Sequence, residues 1–325
     1  MNSQLKHFLL RLGWKLPYLS FLSPRKTVIL EYHGIPTQGD GTDIDSTEFE
    51  RHIIFLKRHF EIVPPDKLSE KRKANDKIRV MLTFDDGFRN HAEVVAPVLR
   101  KHHVPAMFFV SSRHSVPGRY LWFSYLCALE KHFRGNGFYF RREFINMSPG
   151  QRQINIRRLQ EFLLDLTPHP AAMYQAIDNE LPRLEDFLTK DELANYYAGM
   201  TADQVATLAG DSLFSIGVHT VDHPFLTRCE PEEACRQILE NKTWIEQASQ
   251  KKCDTIAYPA GDYDIDILEQ SRQLNFAHGY VETPVVAAIP QLEIPRIGIY
   301  SPSLDILGFK VQWGSLMRTC RLNVG

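Results

Sequence analysis

R-V-M-L-T-F-D-D-G, Arg79 to Gly87, begins as a buried strand and stops abruptly on two adjacent carboxylates and a glycine that permits a sharp departure. A helical pattern follows at once, A-E-V-V-A-P-V-L-R-K-H, and then a further strand, P-A-M-F-F-V, ending at Val110. Strand, helix and strand in that order build a parallel sheet, and in such sheets active sites assemble where the carboxyl ends of the strands meet converging loops. Asp85 and Asp86 stand at such an end. On its own, D-D-G is equally an ordinary turn.

The same rhythm extends in both directions. Upstream lie a strand, T-V-I-L-E-Y-H at 27–33, and an amphipathic helix, F-E-R-H-I-I-F-L-K-R-H-F at 49–60. Downstream it resumes with F-S-I-G-V-H (214–219), a helix from Glu232 to about Gln250, T-I-A-Y-P (255–259), a helix over 264–274, A-H-G-Y-V, and a late strand around Arg296 to Ile299. This alternation predicts an α/β fold whose parallel sheet is wrapped by helices, open or closed as a barrel. Between about Arg113 and Ala209 the pattern turns helical, as in L-W-F-S-Y-L-C-A-L-E and Q-I-N-I-R-R-L-Q-E-F-L-L-D-L, and no strand is predicted there. The expected organisation is therefore a basic, apolar N-terminal segment (1–25), a barrel formed by 26–112 and 210–325, and a helical insertion (113–209) carried on one loop.

Composition narrows the function. A chain of 325 residues, 43% hydrophobic and 24% charged, can bury a sizeable core, and 38 Lys and Arg against 39 Asp and Glu leave no basic field for nucleic acid. Cys127, Cys229, Cys235, Cys253 and Cys320 are scattered, odd in number and without a C-x-x-C pair, so free thiols and a reducing compartment are expected. Lys6, Arg11, Lys15, Arg25 and Lys26, interspersed with Leu9, Leu10, Leu12, Trp14 and Leu16, suit a helix on an anionic membrane surface and equally one packing its apolar side on the domain. The segment is a poor export signal and too short to span, which points to a cytoplasmic enzyme at the inner membrane face.

V-H-T-V-D-H-P places His219 after a strand and His223 before Pro224, which keeps the pair in a loop at the strand end. Two histidines so spaced form a metal-ligand signature, although in a chain with 13 histidines such a pair also arises by chance. Combined with D-D-G at another strand end of the same sheet, the signal strengthens. Two imidazoles and one carboxylate make a three-ligand site with open positions, suited to zinc or another divalent first-row metal holding water, and one acid remains to act as a base.

From Thr27 to Ser112 and from Gly199 to Ile299 the sequence resembles the polysaccharide deacetylases of the NodB homology domain, carbohydrate esterase family 4, whose first and second motifs match T-F-D-D-G and H-T-V-D-H. The resemblance implies a distorted (β/α) barrel with the helical insertion left out of the match. It implies Asp85 as general base and Asp86, His219 and His223 as ligands of a divalent metal, zinc first, cobalt or nickel otherwise. It also implies that a metal-bound water attacks the N-acetyl group of an N-acetylated glycan or lipid-linked sugar. A-Y-P-A-G (257–261) matches the third motif, where the backbone N–H of Ala260 would meet the oxyanion. Two departures stand out. The arginine often found before this proline is missing, and Arg296 in I-P-R-I-G either supplies that charge to Asp85 or is an ordinary ion-pair residue. The late Leu-x-His that supplies the general acid is also missing, and His33 resembles the early histidine of the poly-N-acetylglucosamine deacetylases, the alternative being a histidine that satisfies backbone at a turn.

His102 and His103 are expected to be solvated at a helix end, His91 and Arg89 to open a helix or touch substrate, and Asp222 to be a turn residue. Two other functions share these residues: hydrolysis of small cyclic or acyclic amides, and silent sugar binding. The insertion argues against the first, and the presence of both aspartates and both histidines against the second.

Overall fold

In the computed structural model of the chain, residues 27–39, 44–68, 70 and 77–317 are described, with the side chains of 314–317 excepted. The basic N-terminal segment, with its expected membrane contact, lies outside the described residues. No helix among those described is long and apolar enough to cross a membrane.

The chain runs β1 (Thr27–Tyr32), α1 (Ser46–His59), β2 (Glu61–Ile62), β3 (Arg79–Phe84), α2 (Ala96–His102) and β4 (Ala106–Val110). It then makes α3 (Trp122–His132), a hairpin of β5 (Gly137–Phe140) and β6 (Glu143–Asn146), α4 (Arg152–Asp165), α5 (Pro170–Glu180) and α6 (Lys190–Tyr196). Last come α7 (Ala202–Gly210), β7 (Phe214–Val218), α8 (Pro231–Ser249), β8 (Thr255–Ala257), α9 (Ile265–Gln273), β9 (His278–Val281), β10 (Ile294–Pro295), β11 (Ile297–Gly298) and α10 (Leu304–Met317). Helix ends carry the expected caps. Asp45 accepts from the N–H groups of Thr47 and Glu48 ahead of α1, and Thr189 with Glu192 and Thr201 with Gln204 form capping boxes on α6 and α7.

The sheet order is β10-β9-β8-β7-β4-β3-β1-β11, all parallel, with β2 added beside the start of β3. Its two edges are one piece of chain. Ile294 and Pro295 pair with β9, Arg296 donates its N–H to Val281 O at 2.7 Å, and Ile297 and Gly298 pair with β1. One short strand thus closes the sheet into a barrel, so the closed form is the one adopted, and the predicted late strand starts two residues earlier than expected.

The strands alternate between two buried environments, which is why they read as continuous apolar runs. Val28, Leu30, Tyr32, Val80, Leu82, Phe84, Phe108 and Val110 face the helices, whereas Ile29, Met81, Met107, Phe109, Ala257 and Tyr280 fill the barrel interior. Gly217 is required by this interior, since a Cβ there would lie 2.4 Å from the Phe109 ring.

The insertion has its own apolar cluster, built on Trp122, Tyr125, Leu129, Leu159, Met173 and Tyr174. Its ends meet where Gly199 N–H donates to His114 O at 3.2 Å. Two expectations are corrected. Helix α7, assigned to the insertion over 113–209, packs Val205 and Leu208 into the barrel core. The insertion also contains a strand pair, β5 and β6, whose two-residue turn is Arg141-Arg142, both at positive φ (49° and 68°). Such turns are normally signalled by Asn or Gly, and Arg-Arg carries no such signal.

Glu293, just before the closing strand, holds the preceding loop. Its carboxylate accepts from the N–H groups of Val286 (3.1 Å), Ala287 (2.8 Å), Ala288 (2.9 Å) and Ile289 (3.3 Å) and from the Tyr263 hydroxyl (2.8 Å). Burial works to raise its pKa, but these donors outweigh burial and hold the group below the ordinary glutamate value. Its stabilisation is therefore whole above the unfolded value of about 4.3 and fades as the pH falls from there through the folded value. Glu293→Gln is expected to cost about 2 kcal/mol at neutral pH. In urea denaturation the gap from the parent should narrow on acidification, and a gap independent of pH would exclude the ionised nest.

Candidate metal centre

Strand alternation carries the interior upward to the site. On β1 the inward residues run Ile29, Glu31 and then His33 just past the strand; on the paired β3 they run Met81, Thr83 and then Asp85. Below lies the apolar plug; above it, charged groups gather at the carboxyl mouth.

Arg296 enters this layer from the closing strand. Its guanidinium grips both oxygens of Asp85, Nη1 to Oδ1 and Nη2 to Oδ2 at 2.6 Å each, and also reaches Thr83 Oγ1 at 3.2 Å and Glu31 Oε2 at 3.3 Å. It lies 5.3 Å from the Phe109 ring centroid. Burial would raise the Asp85 pKa, but the Arg296 charge, with that of His219 behind it, holds the carboxyl below its usual range. Glu31, His33 and Asp85 each bring a ligand atom within 4.8 Å of one another, but Arg296 already supplies the cation among them.

Asp86 follows with the chain turned back at φ 77°, and Gly87 continues at φ 81°, where a Cβ would meet Val110 at 2.6 Å. The Asp86 carbonyl is pinned by the Ser111 N–H (3.0 Å) and by His114 Nε2 (2.7 Å). Its carboxylate is fully buried, and neither oxygen has a hydrogen-bond partner. Two imidazoles face it instead, with His219 Nε2 at 3.5 Å and His223 Nε2 at 3.4 Å from Oδ1. A charge-assisted hydrogen bond would be about 2.8 Å. Two ligands about 2.05 Å from one tetrahedral ion lie roughly 3.3 Å apart, so the spacing fits a shared metal better than a hydrogen-bonded cluster.

The ring geometry agrees. His219 uses Nδ1 on Ala257 O (2.8 Å), which leaves Nε2 for the centre, and its backbone is held by Asn241 Oδ1 (3.0 Å) and Ser111 Oγ (2.8 Å). Burial pushes His223 down to about 3, so it is the neutral imidazole a metal requires. For His219 burial acts in the same direction, but Asp85 and Asp86 overcome it and raise the value. Asp86 itself is held low: burial raises it, and the imidazoles that face it, His219 first, outweigh that. Glu31 and Asp85 share the Arg296 guanidinium while Asp86 faces the two imidazoles, so a divalent cation would supply positive charge where Asp86 is buried. The donor set fits a divalent metal.

His33 is the partly exposed member. Its Nε2 is 3.7 Å from Glu31 Oε1, and its ring stacks on Tyr300 at 5.7 Å. With Asp86 it lines a pocket of about 300 Å³ walled by Phe88, Phe123, Tyr197 and Tyr300. A larger cavity, about 1110 Å³, opens at the opposite end of the barrel near Thr27, Phe214 and His278, away from the site residues. Ala260 lies in the turn after β8 at φ 54°, on the loop that follows the His219 acceptor Ala257.

The remaining candidates are placed as follows. His91 begins a short helical turn (91–95) and is fully buried, its Nε2 3.2 Å from His33 O, and burial lowers it to about 4. His102 is half-buried against Glu50 Oε1 at 2.7 Å, not solvated. Asp222 is buried and bonded to Arg113 and Gln237. Glu31 and His114 were not singled out in the sequence, although an acid inside T-V-I-L-E-Y was a signal. The four described cysteines are free.

Comparison with known proteins follows the same lines. The family profile for polysaccharide deacetylase matches residues 72–122 and 185–279. YxkH of Bacillus subtilis (strain 168), named for a polysaccharide deacetylase, is 32% identical over 92 residues, 27% of this chain; the match spans about a third (32%) of that relative's length. The Streptococcus pyogenes deacetylase PplD, solved with acetate, shares the fold at a TM-score of 0.53 and 19% identity, over 86% of this chain and 96% of that one. IcaB from Ammonifex degensii gives 0.53 and 16%, over 88% and 97%, and a de-N-acetylase from Aggregatibacter actinomycetemcomitans gives 0.51 and 15%, over 87% and 99%.

Zinc at about 100 times its dissociation constant is expected to stabilise the parent by about 2.7 kcal/mol, reversed by chelator. Asp86→Asn should show no such shift in thermal unfolding. A parent protein indifferent to zinc, cobalt and nickel would remove the metal centre.

Proposed function

We propose, since the chain belongs to the polysaccharide deacetylase family, that it is a metal-dependent hydrolase removing N-acetyl groups from an amino-sugar glycan or its lipid-linked precursor. One observation carries the reading. A buried carboxylate without hydrogen bonds faces two imidazoles, beside a second carboxylate clamped by an arginine.

Asp86, His219 and His223 would hold the metal, which when bound polarises a carbonyl and lowers the pKa of water. Asp85, kept ionised by Arg296, accepts the proton of the attacking water. The Ala260 N–H donates to the oxyanion as the amide carbon becomes tetrahedral. His33, at the pocket edge beside Glu31, delivers a proton to the departing sugar nitrogen, since an unprotonated amine is a poor leaving group. Acetate and a free amino sugar result. The aromatic pocket walls supply flat apolar faces for a sugar ring.

Acetate release from a panel of N-acetylated glycans and lipid-linked sugars, with zinc, cobalt or nickel added, tests the reading; hydrolysis of cyclic amides without acetate release would replace it. Asp85→Asn is expected to lower kcat by about 10²–10⁴-fold while metal content stays at the parent level. Metal loss in that variant would show that the two aspartates have exchanged roles.

A further inference from the structure

We infer that the insertion is part of the metal centre, because Trp122 and Tyr174 fix the backbone of His223 and through it the affinity for a divalent cation. The inference rests on the metal-binding reading of Asp86, His219 and His223.

The two histidines are held differently. His219 is fixed by barrel residues at its N–H, its carbonyl and its second ring nitrogen. A ligating histidine is normally oriented by an acceptor on that second nitrogen. His223 has none: its Nδ1 is buried and without a hydrogen-bond partner. Its orientation must come from its backbone and from packing.

That backbone is unusual, with φ at 53° in the left-handed region that a residue bearing a Cβ seldom occupies. Its N–H donates to Thr220 Oγ1 at 3.1 Å, and its carbonyl accepts the Trp122 indole N–H at 2.9 Å. The Phe123 ring packs on the imidazole at 4.7 Å. Both aromatic residues open α3, the first helix of the insertion.

One residue back, Asp222 O accepts the Tyr174 hydroxyl at 3.0 Å, and the same hydroxyl oxygen accepts the Trp122 N–H at 3.2 Å. Tyr174 is buried, with the Arg113 guanidinium 3.2 Å above its ring, and Arg113 also reaches Asp222 Oδ1 at 3.2 Å. From the barrel side Gln237 clamps Asp222 at its N–H (2.8 Å) and its Oδ2 (2.7 Å). The ligand loop is thus gripped between α8 and the insertion, and the indole N–H is the insertion's hydrogen bond to the ligand residue itself.

Zinc titration of the full chain, by calorimetry and by competition with a chromophoric chelator, tests this together with the cobalt absorption spectrum. Trp122→Phe, which keeps an aromatic ring and removes the N–H, is expected to weaken zinc binding about 10-fold or more and to alter the cobalt bands. The metal-free form should melt near the parent temperature. Tyr174→Phe, which removes one hydroxyl, is expected to shift both readouts in the same direction by less, and it decides the matter if Trp122→Phe does not fold. Parent affinity and an unchanged cobalt spectrum in the folded variants would overturn the inference. A parent chain that binds no metal would instead sink the metal centre on which it stands.

Discussion

The two-pronged bond between Arg296 and Asp85 joins the closure of the barrel to the chemistry of its mouth. Arg296 is the residue at which the closing strand passes from β9 to β1. Its backbone completes the sheet and its side chain completes the site. Both groups are buried, so the pair is stable only as a pair: removing one partner of such a bridge costs about 3–5 kcal/mol. Glu31 deepens this dependence, since the same guanidinium also faces its carboxylate. A register slip of one residue in the closing strand would turn Arg296 outward and leave two buried acids without their cation. The charge requirement therefore helps to specify the register of a strand otherwise too short to specify itself.

A second constraint is local. Asp86, Thr220, His223 and Ala260 all have positive φ, and they lie in the loops that follow β3, β7 and β8. Each such residue costs of the order of 1 kcal/mol and persists only where its surroundings determine it. The surroundings are visible in the first two of these loops: Ser111 and His114 on the Asp86 carbonyl, and Thr220 and Trp122 on either side of His223. Burial lowers the pKa values of His114 and His91, which favours the neutral rings whose Nε2 atoms meet the Asp86 and His33 carbonyls.

How far the sequence could be read follows from the range of its signals. The barrel was legible because parallel strands buried on both faces leave unbroken apolar runs, and D-D-G and H-T-V-D-H were legible because each concentrates chemistry within a few residues. Glu31 was hidden although it lies only two residues before His33: counting in twos from His33 back into T-V-I-L-E-Y points to it, but an apolar run draws the eye to burial. The β5–β6 hairpin was hidden for the opposite reason, since Arg-Arg carries none of the turn chemistry that announces a tight reversal. Helix α7 was assigned to the insertion because its composition resembles the helices before it. Only the ladder contacts at Gly199 and Met200 show where the chain rejoins the barrel.

The insertion therefore cannot be treated as an accessory laid over a finished enzyme scaffold. Besides the bonds of His114, Ala198 and Met200 to the stretch around Asp86, it meets the mouth on two further sides. Asn195 and Tyr196, at the end of α6, bond the loop after His33 through Thr37 N–H and Gln38 O, and Asn195 O also accepts from Asn90. On the other side Trp122 and Phe123 meet the loop of His223. The proposed acid and one proposed ligand thus each lie beside a point of attachment, and the pocket between them is walled from both directions. Any motion of the insertion that widened the pocket would also pull on a loop carrying a site residue. Rigid packing of its apolar cluster, separate from the barrel core, lets both attachments hold at once.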